Sequence, residues 1–183
     1  MSNDEQPHLS EEEEQEVRER SAPEARIVHA AVVKQGEDEL ARPLKSLFWS
    51  GVAAGFGIMA SVWAQAALHH HLPDAPWREA VAALGYSLGF LIVILGRMQL
   101  FTEQTMVAVL PLARAPSGAK LARVAKLWTV VFLGNLIGTA AIAALCVYAK
   151  LESPQLLHAM LEVSGKLLEE TPGQILLQGV PAG

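Results

Sequence analysis

Two long stretches of the chain carry no charge. Ser46 to Leu68 holds 23 consecutive uncharged residues, and Leu127 to Ala149 holds another 23, bracketed by Lys126 and Lys150. At helical rise each covers roughly 34 Å, enough to cross a hydrocarbon core of roughly 30 Å. Both predict transmembrane helices. Trp49, Trp128 and Tyr148 stand near their ends and Trp77 in a connection, where an interfacial aromatic belt is expected. A third apolar stretch has a different pattern. Ala80 to Gly96 is uncharged, Arg97 and Glu103 follow, and apolar character resumes through Ala113. One continuous helix would be roughly 50 Å long, too long for a single crossing, and the second part is too short for a crossing of its own. The pattern predicts one span broken by a loop at membrane depth: a half-helix over about 80–95, a loop over about 96–102, and a second half-helix over about 103–112, closed by Pro111 and Pro116. Irregular backbone is tolerated there only where protein buries it or where it lines a polar cavity.

The shorter apolar periodicities predict peripheral elements. Residues 23–42 form an amphipathic helix opened by Pro23 and ended by Pro43. Residues 153–171 repeat Leu156, Leu157, Met160, Leu161, Leu167 and Leu168 at helical spacing. Pro172 and Gly173 interrupt, and 174–183 reads as the start of a fourth span. The membrane domain is thus 23–183, with spans at about 46–68, 80–112 and 127–149.

Charge sets the orientation. Arg26, Lys34, Arg42 and Lys45 precede the first span, and Arg114, Lys120, Arg123 and Lys126 stand between the second and third. Only Arg78 lies between the first and second. The positive-inside rule therefore predicts a cytoplasmic N-terminus and an external 150–171 segment in a multi-pass bacterial inner-membrane protein. Residues 1–25 carry nine acids and two arginines, a net of −7 within a chain of −5, so the remainder is close to neutral. This acidic, aromatic-free head over 1–22 reads as a disordered, solvated tail. The acidic start, with the first long apolar run beginning only near residue 46, predicts no secretory signal.

Composition excludes several functions. The single cysteine, Cys146, rules out an intrachain disulfide and multi-cysteine metal sites. His69, His70 and His71 fall outside the uncharged runs and, being consecutive, share no helix face, so they predict an external loop rather than a metal site. Basic clusters with interleaved aromatics are absent, which argues against nucleic-acid binding. No nucleophile–base set or metal-ligand spacing supports an enzyme, and no cofactor is expected. A redox-anchor subunit would want paired histidines on the spans, and the uncharged runs hold none.

Small residues recur four apart: Gly51 and Gly55, Gly85 and Gly89, Gly134 and Gly138. That spacing predicts close helix packing in lipid, with Asn135 as an interhelical hydrogen-bonding residue. The segment Gly96-Arg-Met-Gln-Leu-Phe-Thr-Glu-Gln-Thr105 carries the chemistry. Leu100-Phe101-Thr102 in a broken second span resembles the omega-loop motif of the formate/nitrite transporter family. Tyr86-Ser87-Leu88-Gly89-Phe90 resembles the first half of that family's broken helix, and Trp128 with Gly134-Asn135-Leu136-Ile137-Gly138 resembles its third-helix pattern. The acidic head, Leu47-Phe48-Trp49-Ser50, Arg97 and Val107-Ala108-Val109-Leu110-Pro111 suggest the YfdC-like branch. The resemblance covers roughly residues 25–180.

That resemblance implies an all-α polytopic helix bundle: the first half of an aquaporin-like six-span inverted repeat, assembled as homo-pentamers with one pore per protomer. It implies permeation of small monovalent anions such as formate or nitrite along the broken span. The family's pore-centre histidine would lie in the second half, outside this sequence. Physically, half-helices stopping at membrane depth offer free N–H groups to an anion. Thr102 fits either an N-cap of the second half-helix or a hydroxyl facing the permeant ion. Leu100 with Phe101, and Tyr86 with Phe90 four residues apart, fit apolar constrictions or plain core packing. Arg97 and Glu103 flank one loop with opposite signs, so a salt bridge pinning the loop is expected, the alternative being Arg97 as an anion-attracting group. The rival function is a non-transporting membrane interaction or assembly protein, a truncated half-transporter.

Overall fold

The structure is a computed structural model and describes residues 25–165, 168 and 170–180. The acidic head and the last three residues lie outside the described residues. All regular structure in the described part is helical, in the order α1 (Ala25–Ala41), α2 (Leu44–His71), α3 (Arg78–Leu84), α4 (Ser87–Leu95), α5 (Phe101–Val107), α6 (Val109–Arg114), α7 (Gly118–Tyr148), α8 (Pro154–Gly165) and α9 (Pro172–Gly179). Among the described residues, three helical stretches are long and apolar enough to cross a membrane: Leu44–His71, Arg78–Leu95 and Gly118–Tyr148. Only 22–28% of each crossing window is buried. The rest is apolar surface that suits lipid or further helices and would aggregate in water.

α2 and α7 form the central pair. Their contact is possible because the facing positions lack side chains. A Cβ on Gly134 would lie 2.8 Å from the Phe48 carbonyl oxygen. Cβ atoms on Gly138 and Gly55 would collide with the backbone oxygens of Val52 and Asn135. The broken span meets α2 in the same way: a Cβ on Gly85 would lie 2.6 Å from the Gln65 nitrogen and one on Gly89 2.7 Å from the Ile58 oxygen. Backbones this close gain dispersion contacts without needing a hydrophobic effect, which is weak between helices in lipid. At one end Leu47, Ala108, Val124, Leu127 and Val131 form a buried cluster. At the other, α8 lies over α2 and α7, with Ala159 and Met160 against Ala66 and Cys146. α1 packs on α5 and α6, where Gly36 comes within Cβ distance of the Val107 carbonyl and Pro111.

Four details depart from the sequence expectation. The first half of the broken span is interrupted at Gly85–Tyr86, between α3 and α4. There Gly89 N donates to Ser61 Oγ at 3.1 Å, and Ser61 Oγ donates to the Tyr86 carbonyl. Pro111 does not close the second half-helix: it sits within the first turn of α6, where the N–H it lacks has no helical partner to lose. Pro172 likewise opens α9 instead of interrupting, because Thr171 and Gln174 form a capping box before it. His69, His70 and His71 are the last turn of α2 and not a loop, and His69 is buried against Glu79 at 3.2 Å and Glu162 at 3.7 Å. Among the described residues no group of three potential metal ligands gathers.

Candidate functional site

The loop between α4 and α5 is short, residues 96–100, and the N–H groups of Gly96, Arg97, Met98 and Gln99 are all paired. α4 ends in a Schellman motif: Met98 N donates to the Val93 oxygen at 3.0 Å and Arg97 N to the Ile94 oxygen at 3.1 Å. The residue that must turn left-handed is Arg97, at φ 48°. Leu100, which precedes α5, is extended, with φ −97° and ψ 130°.

Asn135 on α7 holds this loop in place. Its Nδ2 donates to the Gly51 oxygen at 2.8 Å and to the Gln99 oxygen at 2.9 Å. Its Oδ1 accepts from Phe101 N at 2.8 Å. Gln99 N donates to Ser50 Oγ at 3.1 Å. One amide thus ties α2, the loop, the start of α5 and α7 together. Trp128 Nε1 donates to the Gln104 oxygen at 3.1 Å, so this aromatic closes the site instead of merely marking the interface. Phe101 packs edge-on against Trp128 and Phe132, with ring centroids at 6.4 and 5.1 Å. Ser50 is four residues beyond the start of its uncharged run and Asn135 eight, so the loop lies roughly 6–12 Å into the apolar layer, displaced toward the α1 end.

The expected site residues separate into two groups. Thr102 is exposed, as are Glu103, Arg97 and Tyr86; Leu100, Phe101 and Phe90 are half-buried. Tyr86 and Phe90 are in ring contact at 5.3 Å. Thr102 is not the N-cap of the second half-helix. Leu100 occupies that position without a side-chain cap, because Asn135 from another helix takes the first free N–H. The Thr102 hydroxyl is left open. The expected Arg97–Glu103 ion pair is not formed among the described residues. Both side chains line one groove of about 610 Å³ with Gln99, Gln104 and the α1 residues Lys34, Asp38 and Glu39. On α1, Lys34 pairs with Asp38 at 3.5 Å, and Glu39 pairs with Arg42 at 3.2 Å. What pins the loop is Asn135, not the charges flanking it.

Sequence reasoning missed Gln99 and Gln104. Both are buried, and the Oε1 atom of each has no hydrogen-bond partner among the described residues. Their signal was available: two amides flank Leu-Phe-Thr in an apolar span, where an unpaired polar group is costly.

The formate/nitrite transporter family model matches residues 26–183. The chain is 33% identical over 159 residues to inner membrane protein YfdC of Escherichia coli strain K12, covering 87% of this chain and 51% of that protein. It is 33% identical over 105 residues to formate channel FocA of Haemophilus influenzae, covering 56% of this chain and 36% of that protein. It therefore spans about half the length, or less, of these curated relatives. No solved structure matches the chain.

Proposed function

The chain belongs to the formate/nitrite transporter family, and from that premise we propose that its broken second span lines the path of a channel or transporter for small monovalent anions such as formate or nitrite. One observation carries the reading. A short loop within the apolar layer is held by Asn135, which pairs Phe101 N and the Gln99 oxygen, while the hydroxyl-bearing Thr102 beside it stays exposed. A packing defect would not be braced by three hydrogen bonds from one side chain. Thr102 then meets the permeant ion, Leu100 with Phe101 and Tyr86 with Phe90 narrow the path, and small anions avoid the penalty of entering hydrocarbon.

Arg97 fits an anion-attracting role at the mouth of the groove. It accepts a left-handed conformation that glycine would adopt without strain, and it leaves its guanidinium unpaired among the described residues. Glu103 across the same groove opposes it, which makes anion selectivity a balance of the two. On this reading the chain supplies one half of a six-span bundle in the bacterial inner membrane. Its N-terminus is cytoplasmic, it uses no covalent chemistry or cofactor, and the completed six-span protein assembles as a homo-pentamer.

Formate and nitrite flux through the six-span protein in proteoliposomes tests this. Thr102→Ala is expected to lower flux at least tenfold, about 1.4 kcal/mol of lost stabilisation along the path, with assembly size unchanged. Unaltered flux would remove Thr102 from the pathway. Absence of anion flux in the wild type would overturn the function.

A further inference from the structure

We propose that a pocket between the start of α2 and the start of α7 binds the phosphate of an anionic membrane lipid. The pocket holds about 180 Å³, and its walls include Arg42, Arg123 and Lys126 together with Leu44, Leu47 and Leu127. It shares no lining residue with the groove at the loop, although its Arg42 pairs with Glu39 of that groove, and the inference does not depend on the transport reading.

Three observations identify the ligand. The first is depth. Arg42 stands just before α2, whose uncharged run begins at residue 46, and Arg123 and Lys126 stand just before the run that begins at 127. The walls therefore change from cationic to leucine where two spans enter the apolar layer, the level of a lipid headgroup. The second is charge. Arg42 already has partners: Nη1 lies 3.2 Å from Glu39, and Nη2 donates to Ser46 Oγ at 3.2 Å. Arg123 and Lys126 are exposed and have no ion pair among the described residues. They lie three apart on one helix, a like-charge arrangement that is mildly destabilising until an anion neutralises it. Among the described residues no acid lines the pocket. The third is the apolar floor. Leu47 and Leu127 are buried, while Leu44 remains 38% exposed at the rim. A free phosphate gains nothing from leucine, whereas the glycerol and first acyl carbons of a lipid bury against it. Basic pockets between membrane helices that combine these features recognise anionic headgroups.

Native mass spectrometry of the detergent-purified protein tests this, titrating phosphatidylglycerol, phosphatidylcholine and soluble glycerol 3-phosphate separately. Phosphatidylglycerol is expected to bind at least about tenfold tighter than phosphatidylcholine. Arg123→Gln with Lys126→Gln should weaken phosphatidylglycerol roughly tenfold to thirtyfold and leave phosphatidylcholine unchanged. The charge-preserving pair Arg123→Lys with Lys126→Arg should restore most of the affinity. Lys45→Gln with Arg114→Gln removes two cations outside the pocket and should weaken binding less than about threefold. Circular dichroism checks that each variant is folded. Three results would each overturn the proposal: equal binding of the two lipids, an equal loss in the outside pair, or glycerol 3-phosphate binding as tightly as phosphatidylglycerol. The second would mean diffuse surface charge, and the third a site for soluble phosphates.

Discussion

Arg97 occupies the position after α4 that glycine usually fills, and its left-handed backbone stores strain of about 1 kcal/mol or more. Arg97→Gly is therefore expected to stabilise the protein by about 1 kcal/mol in thermal unfolding while lowering anion flux, because one substitution relieves the backbone and removes the charge. Stabilisation with unchanged flux would make Arg97 dispensable to permeation; destabilisation would mean that its side chain has a structural partner. Asn135 presents the opposite case, with little backbone demand and three hydrogen bonds. Asn135→Ala leaves Phe101 N–H and the Gln99 carbonyl unpaired and should cost about 2–4 kcal/mol. Faster proteolysis at residues 96–100, alongside a lower melting temperature in detergent, would register that loss. Asn135→Asp should not rescue it, since a carboxylate can accept from Phe101 but would face two carbonyl oxygens. An Asn135→Ala protein as stable as wild type would show that the loop is held by something else.

At the scale of elements, the pairing of α2 with α7 depends on backbone proximity and not on side-chain volume. Gly138→Ala would force a methyl into the Val52 carbonyl, so the helices must part; a loss of about 1–3 kcal/mol is expected. Gly173→Ala on α9 is the matched control, since among the described residues nothing lies within 4 Å of its added Cβ, and it should be neutral or slightly stabilising. Melting curves of the two variants in one detergent decide the matter, and equal behaviour would refute tight α2–α7 packing. The existence of these helices was legible because uncharged runs of spanning length have few alternative folds. Their ends were less legible. Pro111 and Pro172 fall where a proline can either stop or start a helix, and the choice depended on neighbours: a free first turn in α6, and the Thr171–Gln174 box in α9.

For the whole molecule, the two ends of α7 lie on opposite sides of any membrane it crosses, and charge predicts which is which. Ala119 and Gln155 are both exposed, one beside the start of α7 and the other at the start of α8, while the native Cys146 is buried. Ala119→Cys should resist an impermeant thiol reagent applied to intact cells, and Gln155→Cys should react. The reverse pattern would invert the topology, and labelling of both would sink the three-span arrangement. The exposed apolar surface of the crossing helices fits a protein surrounded by lipid and further helices and not by water.

The sequence by itself determined the membrane class, the number of long spans, the break in the second and the family. Each of these rests on runs of residues and on local motifs, where spacing along the chain is the physics. What holds the break was decided only in three dimensions. The charged pair beside the loop suggested a salt bridge, yet Arg97 and Glu103 stay apart. An amide 34 residues beyond Phe101 makes the contacts because helix packing brings Asn135 to the loop. The same packing turned Thr102 from a cap into an open hydroxyl, buried Gln99 and Gln104 without partners among the described residues for their carbonyl oxygens, and folded the three histidines into the end of α2. Such outcomes depend on which backbones approach each other, and linear spacing carries no record of that approach beyond the glycines that permit it.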